Sequence, residues 1–501
     1  MIRRRELLLL CAAGLASRLL TLPGYVQDKD GYYFVHGVER YAMAELRPHF
    51  PGYPVYIWSA KLLAFAAGEA VLGLRLVSVL ASVLCLWPVA RLAEAWRRST
   101  GGSEAEARRA GIAAALLWLL APLPWLIGTE LYSDAPGLLL ALWMLLLCWR
   151  ALAHPEGAAG SLTWAGALGG LLLGVRLAYV TLLLPLVVAF WRSRRAPHQT
   201  ARALAAFLGC VALWLGWQVF REGGRLFESG AANLPVHFSE PGHTLATDVR
   251  SSTRPLRLVR NVAVFGLGLW WPGAPPTRLP ATLLVAGLVA AGLWRLRRGG
   301  PSPPRRLPWL WLVPYVLGLL LAFGVDTLRY ALPLVAVTCL LAGLGLPSPR
   351  RLAAALLVAV VLAIAPVSVP IAREHRETPP VASQLARFLR RAAPAGGLLI
   401  VEPGDPAALG LFLANEGPPL TLLPLESPTV PRWIAETEAR GLGVYATAPP
   451  ARQPEEWVAV ARFCRSRWLE SEGAAELWLF RHDPAAHAAA GSPVCQSPTG
   501  P

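Results

Sequence analysis

Residues 161–193 read SLTWAGALGGLLLGVRLAYVTLLLPLVVAFWRS, and between Ser161 and Trp191 the only charged side chain is Arg176. Two apolar arms on either side of one cation form a hairpin that water would not tolerate and a bilayer would. A membrane helix takes roughly 20 apolar residues, and fewer where the bilayer adapts. The hairpin is one of several such stretches. Spans are expected over 6–22, 71–93, 110–127, 135–150, 161–175, 177–191, 203–220, 279–295, 307–324, 329–346 and 352–370. The composition agrees: 55% of the 501 residues are hydrophobic, only 16% are charged, and mean hydropathy is +0.45. Soluble domains carry about 25% charged residues, so the chain reads as an all-α polytopic membrane bundle. The 6–22 segment lacks a clean small-x-small cleavage site and is read as a retained helix.

The formal charge of +16 would suit a nucleic-acid binder if the cations formed a patch. They instead mark the short loops of one membrane face: Arg3–Arg5, Arg91–Arg109, Arg192–Arg195, Arg295–Arg306 and Arg350–Arg351. Arginine collects in cytoplasmic loops, so the high charge is topology, and no nucleic-acid partner is expected. Between the inside loops near 151–160 and 192–202 the chain must cross twice, which puts Gly174–Tyr179 at an outer tip. Parity also bears on Leu258–Trp271. Counted as a span, it would place Arg295–Arg306 outside, so it is read as re-entrant or interfacial. About eleven spans result, with the N-terminus cytoplasmic and the C-terminus outside, in the inner (plasma) membrane.

Past residue 370 charged residues return throughout, and short apolar runs at 397–401, 419–423, 443–445 and 476–480 alternate with helix-like stretches at 381–392, 430–440 and 454–468. That alternation predicts a small extracytoplasmic α/β domain over 371–483, after a membrane domain of 1–370. The Ala, Gly, Pro and Ser-rich tail, 484–501, is expected to be disordered. None of the seven cysteines forms a CxxC pair. A disulfide between Cys464 and Cys495 is left open.

The outer loops hold the informative polar residues, since ionisable groups at membrane depth are costly. Asp28-Lys29-Asp30 follows the first span. A metal-bound nucleotide sugar is excluded there, because that chemistry belongs to cytoplasmic domains. Two readings remain: Asp30 caps a helix running to about Leu46, or it is a carboxylate that takes a proton from an attacking hydroxyl or amine. Pro51-Gly52-Tyr53-Pro54 is either a plain loop-to-helix junction or a rigid wall beside an acceptor. Arg250, Arg254, Arg257 and Arg260 recur at helical spacing, as a headgroup-facing stripe or as phosphate ligands. Arg176 is either functional or paired in the interior with Asp134 or Glu130. His237 and His243 flank Glu240 without the third ligand a metal would need. Asp326 with Arg329 reads as an ion pair that orients its loop. Tyr33, His49, Tyr53, Glu130, Tyr132, His243 and Arg329 complete the candidate pocket.

Taken in order, the outer-loop Asp after the first helix, HFPGYPVYIW (49–58), ELYSDAPGLLLALW (130–143), GLLLGVRLAYVTLLLPL (170–186) and DTLRYALPL (326–334) resemble the GT-C glycosyltransferases of the protein-mannosyltransferase and lipid A aminoarabinose-transferase type, over roughly 1–370. The resemblance implies transfer of a sugar from a polyprenyl-phosphate carrier, with inversion, to a lipid, glycan or protein acceptor. By position it implies Asp30 as the catalytic loop acid, with Asp28 the alternative, and Asp134 as a second acid. It also implies that the fourth-loop Arg250, Arg254 and Arg257 bind the donor phosphate, and Arg176, from its own position, is read as a further phosphate ligand. Lys29 separates the two aspartates, so the choice between them stays open, and so does a divalent metal; no cofactor is certain. The rival reading is a transporter or lipid-carrier flippase, but no internal repeat of the kind transporters show is visible. A third is a degenerate scaffold acting through its outer domain.

Overall fold

All eleven segments expected to cross the bilayer are helical. The computed structural model describes residues 2–154, 158–193, 196–298, 303–393, 395–402, 406–449, 454–466, 468–469, 475–483 and 495. The chain divides into two units, Met1–Leu22 with Tyr33–Arg373, and Pro23–Tyr32 with Glu374–Pro501.

The first unit begins with α1 (Arg4–Leu20), and α2 (Lys29–Glu39) follows from the first outer loop. α2 stops short of the expected Leu46. The backbone pairs Ala42 with Arg47 in both directions, and Leu46 turns left-handed at φ 57° to close that loop. Then come α3 (Pro54–Ala67), α4 (Ala70–Leu84), α5 (Leu86–Ser99), α6 (Glu104–Leu120), α7 (Pro122–Ile127), α8 (Asp134–Ala153) and α9 (Ala158–Val175). Proline at the first turn, where its missing N–H costs nothing, opens α3 and α7. A reciprocal cap opens α6: the Glu106 N–H donates to Ser103 Oγ, and Glu106 Oε2 accepts from the Ser103 N–H.

The second hairpin arm is a 3-10 turn, Leu177–Leu183, continued by α10 (Leu184–Arg192). α11 (Pro197–Glu222), α12 (Arg225–Ser239), α13 (Arg254–Arg260), α14 (Leu279–Arg298), α15 (Pro303–Ala322), α16 (Leu332–Gly345) and α17 (Arg350–Glu377) complete the helices of the membrane region. The Leu258–Trp271 stretch is short helix α13 followed by a π-helical turn, Asn261–Gly266. At about 1.5 Å per residue such a segment rises roughly 20 Å, less than the hydrocarbon thickness.

By length and composition, seven helices among the described residues can cross a membrane. Large apolar side chains stand bare on the outer faces, Phe65 at 91% exposure and Phe220 at 85%. Surfaces of that kind are lipid-facing, and the protein is a multi-pass membrane protein. The α9–α11 contact shows what lets the helices approach. A Cβ at Gly166 or Gly170 would run into the Ala203 or Phe207 carbonyl oxygen, and one at Gly174 into the Trp214 ring. Trp214 Nε1 donates to the Gly170 carbonyl at 3.0 Å. Small residues four apart are the usual solution for close helix packing in lipid.

In the second unit α18 (Val381–Ala392) precedes β1 (Gly397–Val401), α19 (Pro406–Glu416), β2 (Leu420–Pro424), α20 (Val430–Ala439), β3 (Gly443–Ala446), β4 (Trp457–Cys464) and β5 (Glu476–His482). The sheet order is β2-β1-β3-β5-β4, parallel among the first three and antiparallel at the β4–β5 edge. Leu398, Ile400, Val444, Ala446 and Trp457 pack with Val430 of α20. The helix expected at 454–468 is instead a 3-10 turn and strand β4. Its aromatic and β-branched residues, paired along β5, favour a pleated surface over a helix. Cys464 and Cys495 form a disulfide. Apart from Cys495, the tail expected to be disordered lies outside the described residues. The split expected at 370 overlooks Pro23–Tyr32, which is tied by side-chain hydrogen bonds to the C-terminal unit.

Candidate active site

Three clusters gather the polar residues of the first unit. The first lies where α8 begins. Asp134 is fully buried at the first turn of α8, where the helix dipole favours a negative charge. Arg176, 5% exposed, meets Asp134 Oδ1 at 2.9 Å through Nη2 and donates from Nη1 to Ser133 Oγ at 3.0 Å. Gly137 makes room: a Cβ there would stand 3.2 Å from Arg176 Cβ and from the Tyr179 ring. The guanidinium lies 5.3 Å from the ring centres of both Tyr179 and Tyr330, positions of cation–π attraction. Tyr315 donates to the Tyr330 carbonyl at 2.8 Å and meets Tyr179 edge-on. Arg329 lies over the Tyr132 ring at 4.7 Å, and the Tyr132 carbonyl accepts from Ser78 at 3.1 Å. Glu130, two residues before Tyr132, is 7% exposed.

The second cluster is aromatic and comes from the first outer loop. Tyr33 and Phe34 of α2 pack on His49, whose Nε2 lies 3.1 Å from the Tyr53 hydroxyl. Phe34 also meets Tyr53 and Tyr56 edge-on. The turn is locked from α11: Gln218 Nε2 donates to the Tyr41 hydroxyl at 2.7 Å and to the Pro51 carbonyl at 2.9 Å. Gly52 has φ +90°, and a Cβ would collide with both Tyr41 and Gln218, so only glycine fits. Tyr53 adopts a left-handed φ of 47°, a conformation that costs a non-glycine residue on the order of 1 kcal/mol. Its hydroxyl lies within electrostatic reach of Arg176, which links the two clusters.

The third cluster takes up the fourth-loop arginines. Arg254 is fully buried, pairs with Asp248 at 2.8 Å and donates to the carbonyls of Gly242, His243, Thr244, Leu319 and Phe323. Arg257 bridges Asp248 and Asp326, and Arg250 reaches Asp326 at 3.2 Å. Burial would raise the Asp248 carboxyl, but the Arg250 N–H and the Arg257 and Arg254 guanidinium groups outweigh it and hold the pKa below the ordinary carboxylate value. Arg254 and Arg257 therefore brace the loop, and of the three fourth-loop arginines expected to bind phosphate only Arg250, 65% exposed at its side chain, stands in solvent reach. Asp326 pairs with Arg250 and Arg257, in place of the expected Arg329. His243 meets Glu240 at 3.1 Å, and its ring lies tilted against that of His237 with centroids 5.2 Å apart. Among the described residues no group of three or more His, Cys, Asp or Glu side chains is placed to hold a metal ion.

Asp28, Lys29 and Asp30 belong to the second unit. Asp28 is the cap of α2: its Oδ1 accepts from the Gly31 N–H at 2.9 Å. The capping role expected for Asp30 thus falls to Asp28, and Asp30, half-buried, occupies the first turn one helical turn before Tyr33 and Phe34.

No protein-family model matches the chain, and no curated protein does. Among solved structures it is similar to ArnT, the lipid A aminoarabinose transferase, from Cupriavidus metallidurans. The apo form aligns at 14% identity over 94% of this chain and 97% of that one, with a TM-score of 0.54. The form bound to undecaprenyl phosphate aligns at 14% identity over 95% and 98%, with a TM-score of 0.53. The Archaeoglobus fulgidus oligosaccharyltransferase aligns at 14% identity over 88% and 68%, with a TM-score of 0.49. The fold is that of the GT-C glycosyltransferases.

Sequence reasoning passed over Tyr315, Tyr330 and Gln218. Tyr330 stands beside Arg329 in the quoted DTLRYALPL stretch, and its neighbour's charge was the signal available. Nothing local marks Gln218.

Proposed function

We propose that this chain is an integral membrane glycosyltransferase that moves a sugar from a polyprenyl-phosphate carrier to an acceptor on the extracytoplasmic face, with inversion. The observation that carries the reading is the buried Asp134–Arg176 pair, walled by tyrosines, within a fold shared with a transferase solved with undecaprenyl phosphate bound. Asp30 takes the proton from the acceptor hydroxyl or amine as its oxygen or nitrogen bonds to the anomeric carbon. The bond from that carbon to the carrier's phosphate oxygen breaks on the opposite face, and the electron pair leaves with the phosphate. Arg176 and Arg329 offset that charge, aided by Arg250, in surroundings where such contacts count for more than in water. Asp134 keeps the Arg176 guanidinium oriented. Tyr33, His49 and Tyr53 line the acceptor side, and Glu130 and Tyr132 the donor side. Arg254, Arg257 and His243 are assigned to the scaffold of the fourth loop. The acceptor is a lipid, a glycan or a protein.

An inner-membrane location, with the N-terminus cytoplasmic and the C-terminal unit outside, is supported by the arginine-rich loops. It is also supported by the Cys464–Cys495 disulfide, since such bonds persist in oxidising compartments.

Purified protein supplied with a panel of undecaprenyl-phosphate-linked hexoses and pentoses, plus membrane extract as acceptor, should release undecaprenyl phosphate, measured by mass spectrometry. Asp30→Asn should cut the rate by about 10²–10⁴-fold, the usual contribution of a general base, at unchanged expression. Equal release by the variant would remove Asp30 from the role. Translocation of labelled undecaprenyl phosphate across vesicles, with no sugar transferred, would overturn the transferase reading.

A further inference from the structure

Two side-chain clamps bracket the Asp28-Lys29-Asp30 turn, and both are built from the C-terminal unit. On one side Arg465, 6% exposed at the end of β4, donates to the Tyr25 hydroxyl at 2.8 Å and to Gln27 Oε1 at 3.1 Å. Its guanidinium also lies over the Tyr25 ring at 5.4 Å. Tyr25 in turn donates to the His375 carbonyl, and Gln27 Nε2 donates to the Leu469 carbonyl at 3.1 Å. On the other side Tyr32, 5% exposed, donates to Glu416 Oε1 at 2.6 Å and packs edge-on against Phe412. Ser383 and Arg387, both of α18, hold the second Glu416 oxygen at 2.7 Å each. Burial and the adjacent carboxylate push the Tyr32 phenol well above its ordinary value, so it remains a donor.

These contacts join residues roughly 400 positions apart at a segment of ten residues. A solvated connecting loop needs none of them, and a charged fork shared by Tyr25 and Gln27, with a carboxylate that holds Tyr32, restricts the turn far more than its Asp28 cap alone.

Resting on the reading of Asp30 as the base, we propose that Arg465 and Glu416 are positioning residues, which hold Asp30 by fixing the first turn of α2 from both sides. Neither touches the reacting atoms; each acts through a tyrosine that flanks Asp30 by five residues or two. Loss of a clamp leaves the donor contacts intact and spreads the carboxylate over orientations that do not react, so kcat falls while KM for the donor holds.

The test uses the full chain in detergent, with Tyr32→Phe, Glu416→Gln, Glu416→Ala and Arg465→Lys beside the parent and Asp30→Asn. Hydrogen exchange read by mass spectrometry needs no substrate: Tyr32→Phe and Glu416→Ala should speed exchange about tenfold over residues 23–36 and leave the rest of the chain unchanged. Undecaprenyl phosphate release should show kcat down at least tenfold and donor KM within about twofold. The neutral acceptor in Glu416→Gln should restore kcat to within about threefold of the parent, and Tyr32→Phe with Glu416→Ala should be no slower than either alone. Unchanged exchange, kcat within twofold of the parent in Tyr32→Phe and Glu416→Ala, or exchange raised over the whole chain would overturn the proposal. An active Asp30→Asn beside a slow Glu416→Ala would instead remove the base assignment and leave the clamp standing.

Discussion

Asp28 and Asp30 differ in what their carboxylates do for the chain, and the difference separates their variants. Asp28 accepts from the Gly31 N–H, so Asp28→Ala should cost about 1 kcal/mol of stability, as lost caps do, and register as a lower melting temperature. Asp30→Asn, by contrast, should remove turnover. The fourth loop offers a sharper case. Arg254 is buried with an aspartate and five carbonyl oxygens around it. Arg254→Met leaves Asp248 paired with Arg257 alone and takes a shared donor from five carbonyl oxygens, and a buried polar group left unsatisfied costs about 1–3 kcal/mol. The full chain should therefore melt markedly earlier, whereas Arg250→Met, at a largely exposed pair, should shift the melt little. The sequence showed four arginines at helical spacing and could not tell a phosphate site from a brace. The deciding partners, Asp248 and the carbonyls of Gly242, His243, Thr244, Leu319 and Phe323, lie outside that spacing. Arg176 was legible because a lone cation between two apolar runs demands a partner, and Asp134 is that partner.

The helices were legible for a simple reason: lipid leaves the backbone no partner but itself, so each long apolar run had to close its own hydrogen bonds. Where that constraint lapses, the reading weakened. Residues 454–468 leave the membrane composition behind, and pairing along β5 decided for a strand. In the same way α2 ended early because the Ala42–Arg47 backbone pair closes a turn that no periodicity announces. The α9–α11 pair carries a prediction of its own. Gly170→Leu forces a branched side chain against the Phe207 carbonyl and Cys210, and overpacking of this kind costs about 1–3 kcal/mol or more. Its yield of monodisperse protein on size exclusion in detergent should fall well below that of a control substitution at Gly209, where a Cβ meets nothing.

For the molecule as a whole, pH acts at the edge of the C-terminal sheet. His482 stands between Glu438 at 2.6 Å and Glu456 at 3.0 Å. Burial would lower its pKa, but the two carboxylates outweigh that and raise it above the ordinary value. A raised folded-state pKa stabilises fully below about pH 6.5, and the gain disappears as pH climbs through the folded value. The full chain should therefore lose melting temperature as pH rises above about 6.5, and His482→Gln should flatten that slope; equal slopes would place the dependence elsewhere. Long-range partnerships such as Tyr25 with Arg465 were invisible in the sequence, since neither side chain's surroundings hint at the other and one chain carries no record of paired change.

The membership of Pro23–Tyr32 in the C-terminal unit also sets a schedule for biogenesis. That decapeptide is synthesised well before its partners, which follow only after roughly 340 intervening residues. At about 5–20 residues per second, the nascent loop waits unclasped on the order of half a minute before its docking surface arrives. A chain released early by a stop codon past the last span would be inserted across the bilayer and still lack the scaffold that its first loop requires.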